Sequence, residues 1–183
     1  GTYYMFCVID GDNYVVETND DNNEFFQAVT VALPDLVIQN SELDPVEVIP
    51  GEEIIASCTF KNVGNSTAEA NNIKFFLSEN SIYESFDILI GTENVDSIQA
   101  QEEIIINKSL IIPQNTAIGN WKIIFYADHD EAVYESNESN NYSFVQFTVE
   151  PPLPDLQIIN PNSSSDTIFA GETIELSFDL INS

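Results

Sequence analysis

Asp128-His-Asp-Glu-Ala-Val-Tyr-Glu-Ser-Asn-Glu-Ser-Asn-Asn141 repeats a text that the chain has already used, Asp10-Gly-Asp-Asn-Tyr-Val-Val-Glu-Thr-Asn-Asp-Asp-Asn-Asn23. Both read D-x-D-[NE]-x-V-x-E-x-N-[DE]-x-N-N, and each lies between two runs rich in β-branched and aromatic residues. Asp and Asn close turns by bonding their own backbone, so two apolar runs around such a text read as a β-hairpin. The same hairpin therefore occurs twice.

Working outward, the flanking runs are residues 1 to 9 with Phe25 to Val31, and Gly119 to Ala127 with Ser143 to Val149. Beyond them Pro34-Asp-Leu-Val-Ile recurs as Pro154-Asp-Leu-Gln-Ile. Gly1 matches Gly119 and Asp10 matches Asp128, an offset of 118; Pro34 matches Pro154 and Gly51 matches Gly171, an offset of 120. The two extra positions fall at Pro151-Pro152. A repeat of this length is a whole domain, longer than a solenoid unit. Residues 1 to 33 are then the last two strands of one domain, 34 to 150 a complete domain, and 151 to 183 the first two strands of the next. A two-stranded fragment cannot bury a core alone. The Leu33-Pro34 and Pro152-Leu-Pro154 junctions are short and held stiff by proline, which predicts domains standing end to end as a rod.

Within the complete domain the strand candidates are Leu36 to Gln39, Ile54 to Lys61, Asn72 to Ser78, Ile88 to Gly91, Ile104 to Ile112, Gly119 to Ala127 and Ser143 to Val149. Turn signals separate them, and no stretch carries a helical stripe. About seven short, evenly spaced strands predict an all-β fold, an immunoglobulin-like β-sandwich in tandem repeats. Alternation points Ile54, Ala56, Cys58 and Phe60 inward, with copies Ile174, Leu176, Phe178 and Leu180. It does the same for Trp121, Ile123, Phe125 and Ala127, with copies Tyr3, Met5, Cys7 and Ile9, because Lys122 assigns the other face to solvent. Cys58 and Cys7 thus belong to different cores and are expected as small buried thiols without a bridge between them. Lys108 leaves the buried face of its strand undecided.

Four Lys plus Arg stand against 31 Asp plus Glu, a formal net charge of -27. Such a surface repels nucleic acid and anionic membrane, and it favours cations as partners. No apolar run is long enough to span a bilayer. Asp128, Asp130, Glu135 and Asn137 offer clustered oxygen donors for calcium, as do Asp10, Asp12, Glu17 and Asn19 in the earlier copy. Turn closure accounts for the same residues without a metal. A second acidic loop offers Glu79, Asn80, Glu84 and Asp87. His129, the single histidine, reads as a solvated loop residue. No phosphate loop, zinc spacing or nucleophile elbow occurs, so no catalytic residues and no enzyme are expected. Sequons at Asn65, Asn107, Asn137, Asn141 and Asn162 are glycosylation candidates in a cell equipped for it.

As a set, several motifs resemble the CARDB domain, the cell-adhesion-related domain of bacteria and archaea. They are Pro34-Asp-Leu, Pro50-Gly-Glu, Asn62-Val-Gly-Asn-Ser-Thr-Ala, Phe76-Leu-Ser78 with Asp87-Ile-Leu-Ile-Gly91, and the Asp128 to Asn141 hairpin. The resemblance covers the complete domain and both fragments. It implies an immunoglobulin-like sandwich in tandem on large exported surface proteins, adhesive or scaffolding and not catalytic. The expected function is a structural or adhesive repeat of an extracellular, cell-surface rod or fibre. Its expected partners are neighbouring repeats in a homopolymer or long tandem array, with surface glycans or proteins as ligands. The alternative is a carbohydrate-binding accessory module of a secreted enzyme, in which Tyr83, Phe86 or Tyr134 would stack on sugar rings.

Overall fold

The computed structural model describes residues 1–182. Its strands in chain order are β1 Thr2–Val8, β2 Glu24–Thr30, β3 Leu36–Asp44, β4 Glu47–Val48, β5 Glu53–Asn62 and β6 Asn71–Ser78. They continue with β7 Ile88–Val95, β8 Glu103–Ile111, β9 Gly119–Ala127, β10 Tyr142–Val149, β11 Leu156–Ser163 and β12 Leu176–Asn182. Among the described residues the helical content is one 3₁₀ turn at Asp20–Asn22.

Strands β3 to β10 form a sandwich of two sheets, β3-β5-β8 and β4-β10-β9-β6-β7. The all-β, immunoglobulin-like expectation holds, with one strand more than the seven foreseen. Pro45 has no N–H and cannot extend the β3–β5 ladder, so the chain leaves that sheet and Glu47–Val48 pairs in parallel with β10. Two residues are too few to show alternation, which is why β4 was invisible in the sequence. Strand β3 also runs past Gln39, across a bulge where Asn40 takes φ 51. Asn tolerates that left-handed conformation better than most residues.

The core lies where alternation placed it. Ile54, Ala56 and Phe60 of β5 and Ile123, Phe125 and Ala127 of β9 are fully buried, and Cys58 nearly so. Trp121 packs at the margin, with its Nε1–H donating to Ala117 O at 2.7 Å. Burial pushes the Cys58 thiol up to about 12, so it is an inert core residue.

One point left open is decided, and two expectations are corrected. Lys108 lies in phase with Ile106 and Leu110 on the inner face of β8, where its Nζ meets Glu93 Oε2 of β7 at 2.9 Å. The sheets part at this open edge, so the ammonium reaches both solvent and a carboxylate on the opposite sheet. Ile124, assigned to the solvent face, is fully buried with Phe76, because the 79–87 loop folds over that side of β6 and β9. The second correction concerns the flanking hairpins.

Among the described residues strand β1 pairs only with β2, and β11 only with β12. Tyr3, Met5 and Ile9 are 62%, 65% and 66% exposed, and Leu176, Phe178 and Leu180 are 71%, 55% and 59% exposed. These residues were expected to point inward; they share a face as alternation demands, but among the described residues no second sheet covers it. In local geometry each hairpin duplicates its counterpart in the sandwich. Cys7 opposes Phe25 as Phe125 opposes Ser143, and Leu156 opposes Asn182 as Leu36 opposes Asn62. The bulge at Gln39/Glu42 returns at Ile159/Asn162, with Asn160 again at φ 51.

Candidate functional site

The acidic hairpin loop joins β9 to β10. Asp128 opens it with φ 45, and its carboxylate accepts from two backbone N–H groups: Ala132 N to Oδ1 at 3.0 Å and Val133 N to Oδ2 at 2.8 Å. The turn this cap builds drives Val133 into the end of the core. Burial pushes the Asp128 carboxyl up, against the pull of those two N–H groups.

Glu135 follows, 4% exposed, and reaches out of the loop altogether. Its Oε2 accepts a short bond from Leu36 N, the first residue of β3, and its Oε1 accepts from Asn141 Nδ2 at 2.8 Å. Burial pushes this carboxyl up to about 7. Ser136 N donates to Pro34 O at 2.9 Å, Ser136 Oγ to Asp35 Oδ2 at 3.1 Å, and Asn140 Nδ2 to Asp35 Oδ1 at 2.9 Å. The loop thus grips the Pro34–Leu36 segment through backbone and side chain alike.

A second loop grips the segment from its other side. Asn62 Oδ1 accepts from Asp35 N at 3.1 Å and from Gly64 N at 3.0 Å, while its Nδ2 donates to Ser66 O and Ile98 O. Val63 N donates to Asp35 O at 2.7 Å and Asn65 N to Leu33 O at 3.0 Å. Gly64 must be glycine here. A Cβ would lie 2.5 Å from Leu33 O, Pro34 C and Asp35 N, all backbone atoms. The fully buried amide of Asn62 and the carboxylate of Glu135 form a clamp on Leu33-Pro34-Asp35-Leu36.

The calcium candidates point in different directions. Asp130 Oδ1 meets Lys74 Nζ at 2.5 Å and Oδ2 accepts from Asn72, and the Lys74 contact above all holds its carboxyl down at about 2. Asn137 Oδ1 accepts from Ser139 N and Oγ. In the earlier copy Asp10 caps Tyr14 N and Val15 N, each at 2.8 Å, and Asn19 caps the 3₁₀ turn through Asp21 N, whereas Asp12 and Glu17 are exposed. In the second acidic loop Asn80 bonds Glu84, and Asp87 accepts from Glu84 N; Glu79 contributes its backbone O to Lys122 Nζ. Among the described residues no group of three or more His, Cys, Asp and Glu is arranged to hold a metal ion.

His129 corrects its reading as a solvated residue. Its ring lies 5.1 Å from Phe76, 4.9 Å from Tyr83 and 5.0 Å from Tyr126, centroid to centroid, with Nδ1 buried and 3.5 Å from Asp130 Oδ1. Tyr83 is consumed in that cluster, while Phe86 and Tyr134 stand exposed on separate loops without a ring contact between them. Asn65, Asn107, Asn137 and Asn162 are exposed, whereas Asn141 is buried with its amide bonded to Glu135.

Sequence reasoning did not find the clamp. Asn62 and Asp35 lie far apart in the chain, and Glu135 was grouped with its loop neighbours. One signal was present: Asp35 and Asn62 have counterparts 120 positions on in Asp155 and Asn182, and in the structure Asp155 N likewise donates to Asn182 Oδ1, at 2.8 Å.

Comparison with known proteins agrees with the fold. The CARDB domain of a Pyrococcus furiosus protein, solved in complex with di-metal ions, matches over 66% of this chain and 97% of its own, at 21% identity and TM-score 0.51. A domain of a candidate cell surface protein from Methanosarcina acetivorans matches over 64% and 93%, at 24% identity and TM-score 0.47. A β-glucosidase from Listeria innocua matches over 78% of this chain but 20% of its own, at 18% identity and TM-score 0.44. At such identities the likeness is one of fold. No curated protein matches at a significant level. A family model matches residues 33–144, from the clamped junction through the acidic loop into β10, and the chain belongs to the CARDB family.

Proposed function

We propose that this chain is a structural and adhesive repeat module of an extracellular surface protein, a segment of a stiff rod of end-to-end sandwiches that performs no catalysis. The observation that carries this reading is the clamp. A linker meant to flex leaves its backbone to water, whereas here Leu33 O at the junction is bonded to the domain that follows, and the first residues of that domain are fixed in turn through Pro34 O, Asp35 N, Asp35 O and Leu36 N. Stiffness then comes from hydrogen bonds as well as from proline. The flanking hairpins, which share the strand register of β9–β10 and β3–β5 over their paired stretches, support a tandem array of the same domain. Membership in a cell-adhesion-related family supports the surface location, and the Methanosarcina protein is itself a candidate surface protein.

The di-metal complex of the Pyrococcus domain poses the question of a metal here. The acidic loop does not fit one as it stands: Asp128 and Glu135 already accept backbone N–H bonds, and Asp130 is paired with Lys74. Cations are proposed to act on this molecule diffusely, by screening its charge.

The rod is tested on two copies of residues 34–150 joined through Pro151-Pro152-Leu153. Small-angle scattering should give the profile of one elongated body about twice the single-domain length. A profile of two freely hinged spheres refutes the rod.

A further inference from the structure

Where β6 ends and β7 begins, a small cavity opens beside β9. Leu77 and Ser78 of β6, Glu79, Phe86 and Asp87 of the loop, and Trp121 of β9 line about 170 Å³. That is below the roughly 300–1,000 Å³ of sites that hold a drug-sized ligand, so it suits the end of one long side chain. Trp121 reaches the cavity from the margin of the core, one residue before the Lys122 that pairs with Ser78. Phe86 reaches it from the loop and is 74% exposed.

The loop is held by its own bonds, and these sort its acids. Ile82 N donates to Asn80 Oδ1 at 2.8 Å, Asn80 Nδ2 to Glu84 Oε2 at 2.7 Å, and Glu84 N to Asp87 Oδ2 at 2.8 Å. Glu84 is thus spent within the loop. Asp87 keeps Oδ1, and Glu79 its whole carboxylate, without a hydrogen-bond partner among the described residues. Donors are scarcer. Trp121 Nε1–H is given to Ala117 O, and the Ser78 hydroxyl, 1% exposed, accepts from Asn80 N. The side chains around the cavity therefore offer carboxylate acceptors and aromatic faces, both of which attract a cation. A neutral sugar, whose hydroxyls accept as well as donate, would find few donors here, and a metal ion would leave the rings unused.

We propose that this cavity is an adhesive contact for an arginine side chain of a partner protein, its guanidinium stacked on Trp121 and Phe86 and forked to Glu79 and Asp87. Arginine fits better than lysine because its planar, weakly hydrated head both stacks on rings and forks to carboxylates. The chain contains no arginine, and each of its four lysines already meets an acceptor of its own domain: Lys61 with Glu103, Lys74 with Asp130, Lys108 with Glu93 and Lys122 with Glu79 O. A second copy therefore does not supply the group. The net charge of -27 draws basic partners and speeds their encounter. The inference rests on the adhesive part of the reading above and names the partner's chemistry.

Trp121 is the single tryptophan, so its fluorescence reports on the cavity. The full 183-residue chain is titrated at fixed ionic strength with a Gly-Arg-Gly peptide blocked at both ends, with the same peptide carrying neutral citrulline in place of arginine, and with a neutral glucose hexasaccharide. The arginine peptide should give a saturable change in the millimolar range, and the other two none. Glu79→Gln and Phe86→Ala, at exposed positions where the melting temperature should not move, should each weaken that binding about two- to fivefold. Glu42→Gln removes the same charge from an exposed position on β3 of the opposite sheet and should leave the binding as it was. No saturable change with the arginine peptide overturns the proposal. So does equal binding of the citrulline peptide, which removes the cation from the account. Saturation by the sugar instead, the mark of a glycan site, overturns it too, as does an equal loss at Glu42, the mark of diffuse attraction. Any of these would leave the rod standing, because that is decided by scattering from the joined pair.

Discussion

Glu135 is the residue on which the clamp and the loop both turn. A carboxyl raised from the usual 4.5 to about 7 binds its proton more tightly folded than unfolded. That contribution to stability is complete below pH about 4.5 and fades as pH rises to about 7. The melting temperature should therefore fall between pH 5 and pH 8, and Glu135→Gln should make that slope shallower. Gln is accommodated because Asn141 Oδ1 has no partner: turned over, the Asn141 amide accepts from the new side-chain N–H while Leu36 N keeps its acceptor. Glu135→Ala instead strands the Leu36 N–H in a buried site and should cost about 1–3 kcal/mol, measured by urea unfolding. If Glu135→Gln leaves the pH slope untouched, the group does not titrate as argued. The sequence announced an acidic loop but not which acid leaves it, since Glu135 earns its role from Leu36, which lies on another strand.

Among the elements, two glycines show how closely strands and loops approach, and they rank a pair of substitutions. A Cβ on Gly91 of β7 would lie 2.3 Å from Leu110 Cδ2, at the sandwich edge that Lys108 and Glu93 close. The obstacle is one side-chain methyl in a packed core, so Gly91→Ala should destabilise by about 1–3 kcal/mol through repacking of Leu110. A Cβ on Gly64 would meet three backbone atoms of the junction, none able to rotate away. Gly64→Ala should therefore cost at least the top of that range and loosen Leu33–Leu36, seen as faster amide exchange at Asp35 and Leu36. A milder effect at Gly64 than at Gly91, by thermal melts on both variants, would contradict this ordering. Strand positions were legible from alternation because one face of each is buried. Strand β4, the covered outer face at Ile124 and the inward Lys108 were not, since each depends on what packs over it.

At the scale of the whole molecule, a net charge of -27 makes self-repulsion the dominant long-range force. Salt screens it over a Debye length of about 8 Å at physiological strength. The melting temperature should rise with sodium chloride, and calcium chloride at matched ionic strength should give the same rise. An additional increase saturating at low millimolar calcium would mark a formed ion site. The acidic repeat text, the 118- and 120-residue offsets and the period-two alternation were enough, unaided, to determine the class of fold, the repeated hairpins and which residues share a face, because all of these follow from local backbone geometry. Tertiary structure alone decided which faces are covered, which carboxylates spend themselves on backbone N–H groups, and that the junction is clamped. Those outcomes depend on desolvation and on partners many residues away, and neither is written in a local pattern.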